Sequence, residues 1–260
     1  MKTLAIMLGL FASSLFAQAV TPVPKAHAHN DYEHDRPLLD ALDQGFCSVE
    51  ADVFAIDGEL RIAHNRRDTK PGRTLEKFYL DPLLERVKAN KGSVHEGGPD
   101  FTLLIDFKTS AEPTYELLKK SLNNYREMLV AKKKGGKAAV TVVVSGNRPF
   151  DQLKADKDRL CGLDGRLSDL ETDMAPRLMP MISDNWRNHF KWRGEGEFPE
   201  AEREKLREVI AKAHKAKRRV RFWATPENEA LWQELLDADA DHINTDQLAR
   251  LRKFLLSKAN

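Results

Sequence analysis

Short apolar runs alternate with longer polar or helix-patterned stretches along most of this 260-residue sequence, and that alternation restricts the fold more than any other feature. Eight runs read as strands: Lys25–His29, Cys47–Phe54, Phe101–Phe107, Ala138–Val144, Arg159–Leu163, Leu178–Ile182, Arg219–Ala224 and His242–Asn244. Helical spacing occupies Pro37–Gln44, Leu75–Ala89, Pro113–Lys132, Glu200–Lys217, Pro226–Leu236 and Gln247–Leu256, with Pro113 and Pro226 placed as first-turn residues. Strand–helix alternation of this length implies a parallel sheet with helices outside it. Eight such units predict a closed (β/α)8 TIM barrel, for which about 250 residues is an ordinary single-domain length. No G-x-G-x-x-G follows the first strand, which argues against a dinucleotide-binding sheet.

The N-terminus carries a separate signal. Met1-Lys2-Thr3 gives a positive start, Leu4–Phe16 is mostly apolar, and Ala17-Gln18-Ala19 is a small-x-small cleavage site. This pattern reads as a secretory signal peptide, shorter than the ~20 residues that span a bilayer. The expected product is exported, periplasmic or extracellular, with 1–19 removed and 20–260 forming one barrel domain without a later membrane span. The 42 basic and 40 acidic residues nearly cancel, leaving no global charge for nucleic acid to recognise. Two cysteines make neither a disulfide framework nor a zinc site. Cys47 and Cys161 fall in the second and fifth strands, further apart than the ~7 Å a disulfide allows, and are expected as free thiols. The Lys132–Lys137 run reads as a solvated helix end and turn.

Polar residues interrupt strands that should fill a barrel with branched apolar side chains. In Val49-Glu50-Ala51-Asp52-Val53, alternation puts Glu50 and Asp52 on one face and the apolar residues on the other. The apolar face suits the surrounding helices, so the acids point into the barrel mouth. The third strand repeats the pattern with Asp106 and Lys108. Both sets lie toward the C-terminal ends of their strands, where barrel sites are built. Unpaired carboxylates there need a cation or donors. Three carboxylates without a thiolate suit Mg²⁺ or Ca²⁺ better than zinc. The structural alternative is ion pairing of Glu50 or Asp106 with Lys108. His29 ends the first strand, and the Asp57-Gly58 turn folds His64 back beside Glu50 and Asp52. Two histidines flanking such a cluster can take and give protons.

In combination these residues resemble the phospholipase-C-like phosphodiesterase superfamily, which includes glycerophosphodiester phosphodiesterases and phosphatidylinositol-specific phospholipase C. The resemblance rests on His29, Glu50-Ala51-Asp52, Asp57-Gly58 with His64, Asp106-Phe107-Lys108, Phe222-Trp223-Ala224-Thr225 and Ile243-Asn244-Thr245-Asp246. His29-Asn30-Asp31-Tyr32, Ser48–Val53 and the Arg73–Leu83 segment are most similar to the subgroup of altered inheritance of mitochondria protein 6. Asn30 departs from the usual His-Arg-Gly, Asp106 stands where many members have Glu, and the span from His64 to Asp106 is short for a glycerol-recognition insertion.

The resemblance implies a phosphoric diester hydrolase acting on a glycerophosphodiester or a phospholipid-headgroup-like small molecule. Glu50, Asp52 and Asp106 would hold one divalent cation. His29 and His64 would be the acid–base pair, and Lys108 would stabilise the pentavalent phosphorane. Trp223 would wall the substrate, Asn30 would orient a ligand or bind phosphate, and Arg148, following the fourth strand, would contact phosphate. The Asp184–Arg193 stretch interleaves aromatic and basic residues and reads as a lid or substrate wall, with peripheral membrane contact as the alternative. Two other functions compete: a non-catalytic barrel binding a phosphorylated ligand, and a sugar hydrolase. Carboxylates two residues apart on one strand suit a cation better than the opposed acids of a glycosidase.

Overall fold

The computed structural model describes residues 20–131 and 136–259; residues 1–19, where a signal peptide is expected, and most of the Lys132–Lys137 run lie outside the described residues. Among the described residues nine strands form: β1 (Val23–Ala28), β2 (Phe46–Ile56), β3 (Glu59–Ile62), β4 (Phe101–Phe107), β5 (Val140–Gly146), β6 (Cys161–Gly165), β7 (Met181–Asn185), β8 (Arg219–Trp223) and β9 (Ile243–Thr245). Eight are parallel neighbours in the order β8-β7-β6-β5-β4-β2-β1-β9. The ends meet where Arg221 bridges His242, whose N–H donates to the Val220 carbonyl at 3.1 Å, so the wall is a nearly closed (β/α)8 barrel. β3 adds only an antiparallel hairpin to β2. Its turn needs left-handed backbone at two successive residues, supplied by Asp57 (φ 51°) and Gly58 (φ 79°).

Around the wall lie α1 (Leu39–Asp43), α2 (Asp81–Ala89), α3 (Ala111–Leu122), α4 (Arg126–Leu129), α5 (Phe150–Ala155), α6 (Trp186–His189), α7 (Glu200–Lys215), α8 (Glu229–Asp237) and α9 (Leu248–Lys258). No helix among the described residues is long and apolar enough to cross a membrane. Several boundaries differ from the expected ones. The strand expected at Leu178–Ile182 begins at Met181, because Pro180 has no N–H to give a ladder, and it runs on to Asn185. The helix expected over Pro113–Lys132 stops at Leu122 and re-forms only as α4, since Asn123 and Asn124 favour turns over helix interior. Pro226 does not open a helix: α8 starts behind Asn228, whose side chain accepts from the Leu231 N–H at 2.9 Å. α5 and α6 have too few turns to show a period.

The outward side chains Val49, Ala51, Val53, Leu103, Ile105, Val142 and Val144 are buried beneath the helices in one apolar cluster. Inside the wall the apolar filling shrinks to Leu104, Val143 and Met181. The remaining buried interior is polar, with His27, Ser48, Glu50, Asp164, Ser183, Arg221, His242 and Asn244. A barrel stabilised by packing alone would not carry this set, since each polar group needs a partner to offset its desolvation. Cys47 and Cys161 are free and buried on β2 and β6, with β4 and β5 between those strands. Burial pushes both thiols up to about 12.

Candidate active site

β2 and β4 run in register, with Asp52 opposite Asp106, and Glu50 lies one inward position below Asp52. One oxygen from each of Glu50, Asp52 and Asp106 falls within 4.8 Å of the others. The next strand crowds this cluster closely. Gly146, at φ 66°, has no room for a Cβ beside Asp106 Oδ1, so glycine is required there. Lys108 Nζ lies 3.0 Å from Asp52 Oδ2 and 3.3 Å from Asp106 Oδ1. The contact to Asp52 is an ion pair without hydrogen-bond alignment, and both Asp52 oxygens are buried without a donor.

Glu50 is satisfied from below. Arg221 Nη1 donates to its Oε2 at 2.6 Å and also to His27 Nε2, while His27 Nδ1 meets Ser48 Oγ at 2.7 Å. Burial and the Arg221 charge lower His27 to about 3, so the ring is neutral and its Nε2 is free to accept. Burial alone would raise the Glu50 carboxyl, but the Arg221 guanidinium holds it well below the usual range. Burial and the neighbouring Glu50 charge push Asp52 up to about 7, and Asp106 is raised for the same reasons. Without a cation these two carboxyls therefore bind a proton more readily than ordinary aspartates.

His29 and His64 flank the cluster and are joined by hydrogen bonds. His29 Nδ1 lies 2.8 Å from Asp246 Oδ1 and 3.0 Å from Asn30 Nδ2. One ring nitrogen cannot donate to the acid and accept from the amide together. The Asp246 carboxylate accepts a hydrogen bond from the His29 Nδ1–H, and Asn30 Nδ2 donates to the same Asp246 oxygen at 3.3 Å. On the other side the Tyr32 hydroxyl donates to Asn30 Oδ1 at 2.6 Å, so it accepts from His64 Nδ1 at 2.9 Å. His64 Nδ1 is also 3.5 Å from Asp52 Oδ2. Both imidazoles are thus fixed with Nδ1 as donor, which leaves each Nε2 for proton transfer. Burial would lower His29, but the hydrogen bond to Asp246 and the Glu50 charge more than offset it, so its pKa is raised. Asp246→Asn should therefore move the His29 titration to lower pH, read by NMR of the imidazole; an unchanged titration would remove Asp246 from this role.

The expected residues do not all converge. His29, His64, Glu50, Asp52, Asp106 and Lys108 meet. Asn30 lies among them as a positioning group, its amide committed to Asp246 and Tyr32. Trp223 is half-buried at the end of β8, opposite Asn185 of β7. Arg148 is turned toward β6, its Nη1 donating to the Asp164 carbonyl at 2.5 Å. In the Asp184–Arg193 stretch Trp186, Phe190 and Trp192 are buried. Trp186 stacks on Phe190 and meets Phe222 edge-on. The stretch therefore packs as a wall beside β8, with no aromatic face turned outward. Tyr32, Asp246 and Arg221 received no role from sequence; for Arg221 a signal was visible, a cation at an inward position of a strand.

Residues 14–161 match the AIM6-like phosphodiesterase domain, and residues 219–249 match the glycerophosphoryl diester phosphodiesterase family. Altered inheritance of mitochondria protein 6 from Eremothecium gossypii is 29% identical over 284 positions, spanning 95% of this chain and 73% of that protein. A homolog of it from Arthroderma benhamiae is 29% identical, spanning 89% of this chain and 83% of that protein. Crystal structures of glycerophosphodiester phosphodiesterases superpose across most of the barrel. That from Parabacteroides distasonis gives a TM-score of 0.55 at 14% identity, covering 91% of this chain and 98% of its own. That from Agrobacterium tumefaciens gives 0.52 at 14% identity, covering 89% and 100%.

Proposed function

The chain belongs to the family of AIM6-like phosphodiesterase domains, and from that premise we propose that it is an exported, cation-dependent hydrolase of small-molecule or lipid-headgroup phosphodiesters. The observation that carries this reading is the buried Asp52 carboxylate, with no hydrogen-bond donor on either oxygen, between two further acids and beside two oriented histidines. Orphaned hard oxygens fit a dication and are costly otherwise. Glu50, Asp52 and Asp106 would hold one Mg²⁺ or Ca²⁺, which when bound offsets their charge and polarises a phosphoryl oxygen.

The chain's own groups do the rest. One histidine Nε2 takes the proton of the attacking hydroxyl, from a neighbouring carbon of the substrate or from water. The other Nε2 gives a proton to the leaving alkoxide. Attack by an internal hydroxyl makes a cyclic phosphate and gains from proximity. Lys108 faces the charge that grows on the phosphoryl oxygens. Tyr32, Asn30 and Asp246 hold both rings in one tautomer. Trp223 walls the substrate.

Because Asp52 rises to about 7 without a cation, loading displaces a proton. Mg²⁺ or Ca²⁺ affinity should therefore fall about tenfold per pH unit below about pH 7 and level off above it. Calorimetric titration reads this directly; affinity independent of pH would contradict the assignment. Export rests on the Met1–Ala19 pattern, and a secreted product beginning at Val20 would support it. The activity itself is tested with a chromogenic phosphodiester and its monoester. Turnover of the diester with Mg²⁺ or Ca²⁺ is expected, with the product identified as cyclic or linear by phosphorus NMR. Phosphate-ligand binding without turnover of any diester would favour the non-catalytic barrel.

A further inference from the structure

Past Lys108 the mouth opens into a cavity of about 540 Å³ between the ends of β2 and β4, the loop after β3 and the start of α3. Arg66, Lys108, Thr109, Ser110, Thr114 and Asn147 line it, and the rest of the wall is one alanine and one proline. No carboxylate and no aromatic ring faces it.

The wall is braced by its own hydrogen bonds. Thr109 Oγ1 accepts from the Ala55 N–H at 2.9 Å and meets Thr114 Oγ1 at 2.9 Å. Thr114 donates on to the Ser110 carbonyl at 2.6 Å, and Asn147 Nδ2 holds the Thr109 carbonyl at 3.1 Å. These bonds consume the threonine hydroxyls. Arg66 and Ser110 are solvent-exposed, and among the described residues the Arg66 guanidinium and the Ser110 hydroxyl have no hydrogen-bond partner. The Arg66 backbone is nonetheless anchored, its carbonyl accepting from Thr69 Oγ1 at 2.8 Å. The nearby Asp68 takes Asn65 Nδ2 at 3.1 Å and faces Arg67 at 3.8 Å, and it forms no ion pair with Arg66.

We infer that this cavity receives a second anionic, oxygen-rich group of the substrate, a phosphoryl group carried by one alcohol of the scissile diester. The inference rests on the phosphodiesterase reading above. Lys108 touches Asp52 and Asp106 and also lines the cavity, so a diester held at the acidic cluster extends past Lys108 toward Arg66. A planar guanidinium with its fork unused is matched to phosphate oxygens, and a hydroxyl adds a further donor. The volume falls in the range of small-molecule sites. A quaternary ammonium headgroup meets the opposite conditions: the unpaired Arg66 guanidinium, no carboxylate lining the cavity and no ring for a cation–π contact. The cavity therefore selects against choline-like diesters as well as for phosphorylated ones.

The test uses two inert phosphonate analogues of one diester, identical except that one ends in a phosphate and the other in a trimethylammonium group. Each is titrated by calorimetry into Mg²⁺-loaded wild-type and Arg66→Glu protein, and the cleavable parents are assayed alongside. The phosphate-ended analogue should bind wild type at least about tenfold more tightly, and Arg66→Glu should abolish that preference. Equal binding, or a preference that survives Arg66→Glu, overturns the inference whether or not the parents are cleaved. A preference lost in Arg66→Glu with no parent cleaved upholds the cavity's ligand class and overturns the phosphodiesterase reading. Failure of both analogues to bind overturns both.

Discussion

His64→Ala should lower kcat by about 10²–10⁴ and leave the fold intact, and His29→Ala should do the same, the range expected for groups that move a proton in the transition state. The His64 side chain is 52% exposed, so its removal costs little packing. His29 loses an ion pair to Asp246, itself half exposed, and such pairs contribute little to stability. The activity loss and the stability change are therefore well separated. Thermal unfolding of both variants should stay close to wild type while turnover collapses. Normal turnover by either variant would place that histidine outside the chemistry. The double variant should lose less than the product of the two single losses if the rings act on one proton-transfer path.

Arg221→Ala should destabilise the cation-free protein by roughly 3–5 kcal/mol, because it strands the buried Glu50 charge. Arg221 and Glu50 are 4% and 6% exposed, so water cannot replace the lost partner. For a chain of this size that corresponds to a melting temperature lower by roughly 6–20 °C. Arg221→Ala with Glu50→Gln should recover part of the loss, since the stranded charge is then absent, and the cycle of variants isolates the pair. A melting temperature within about 2 °C of wild type for Arg221→Ala would show that Glu50 does not depend on this guanidinium.

The barrel was legible because eight short apolar runs separated by helical spacing admit few parallel arrangements. Strand parity alone placed Glu50 and Asp52 inside and Val49, Ala51 and Val53 outside, as observed. The Asp57-Gly58 turn brought His64 to Asp52 because two left-handed residues in succession permit little but a tight hairpin. What sequence could not show are partnerships made by closure. Asp246 stands 217 residues from His29 and reaches it only because β9 pairs with β1. Arg221 meets Glu50 across the barrel interior, a contact that no single strand reveals. Tyr32 sits in a short 3₁₀ turn, where no period marks a phenol as structural or functional. Strand edges near Pro180 and helix ends near Asn123 shifted because single residues decide them.

In the proposed mechanism, phosphodiester cleavage requires a cation held by Glu50, Asp52 and Asp106. The direct measurement is hydrolysis of a chromogenic phosphodiester by chelator-treated protein, with metal content verified by elemental analysis, as Mg²⁺ or Ca²⁺ is added back. The expected result is no turnover without metal and recovery that saturates with one bound cation per chain. Full activity in protein verified to be metal-free would contradict it.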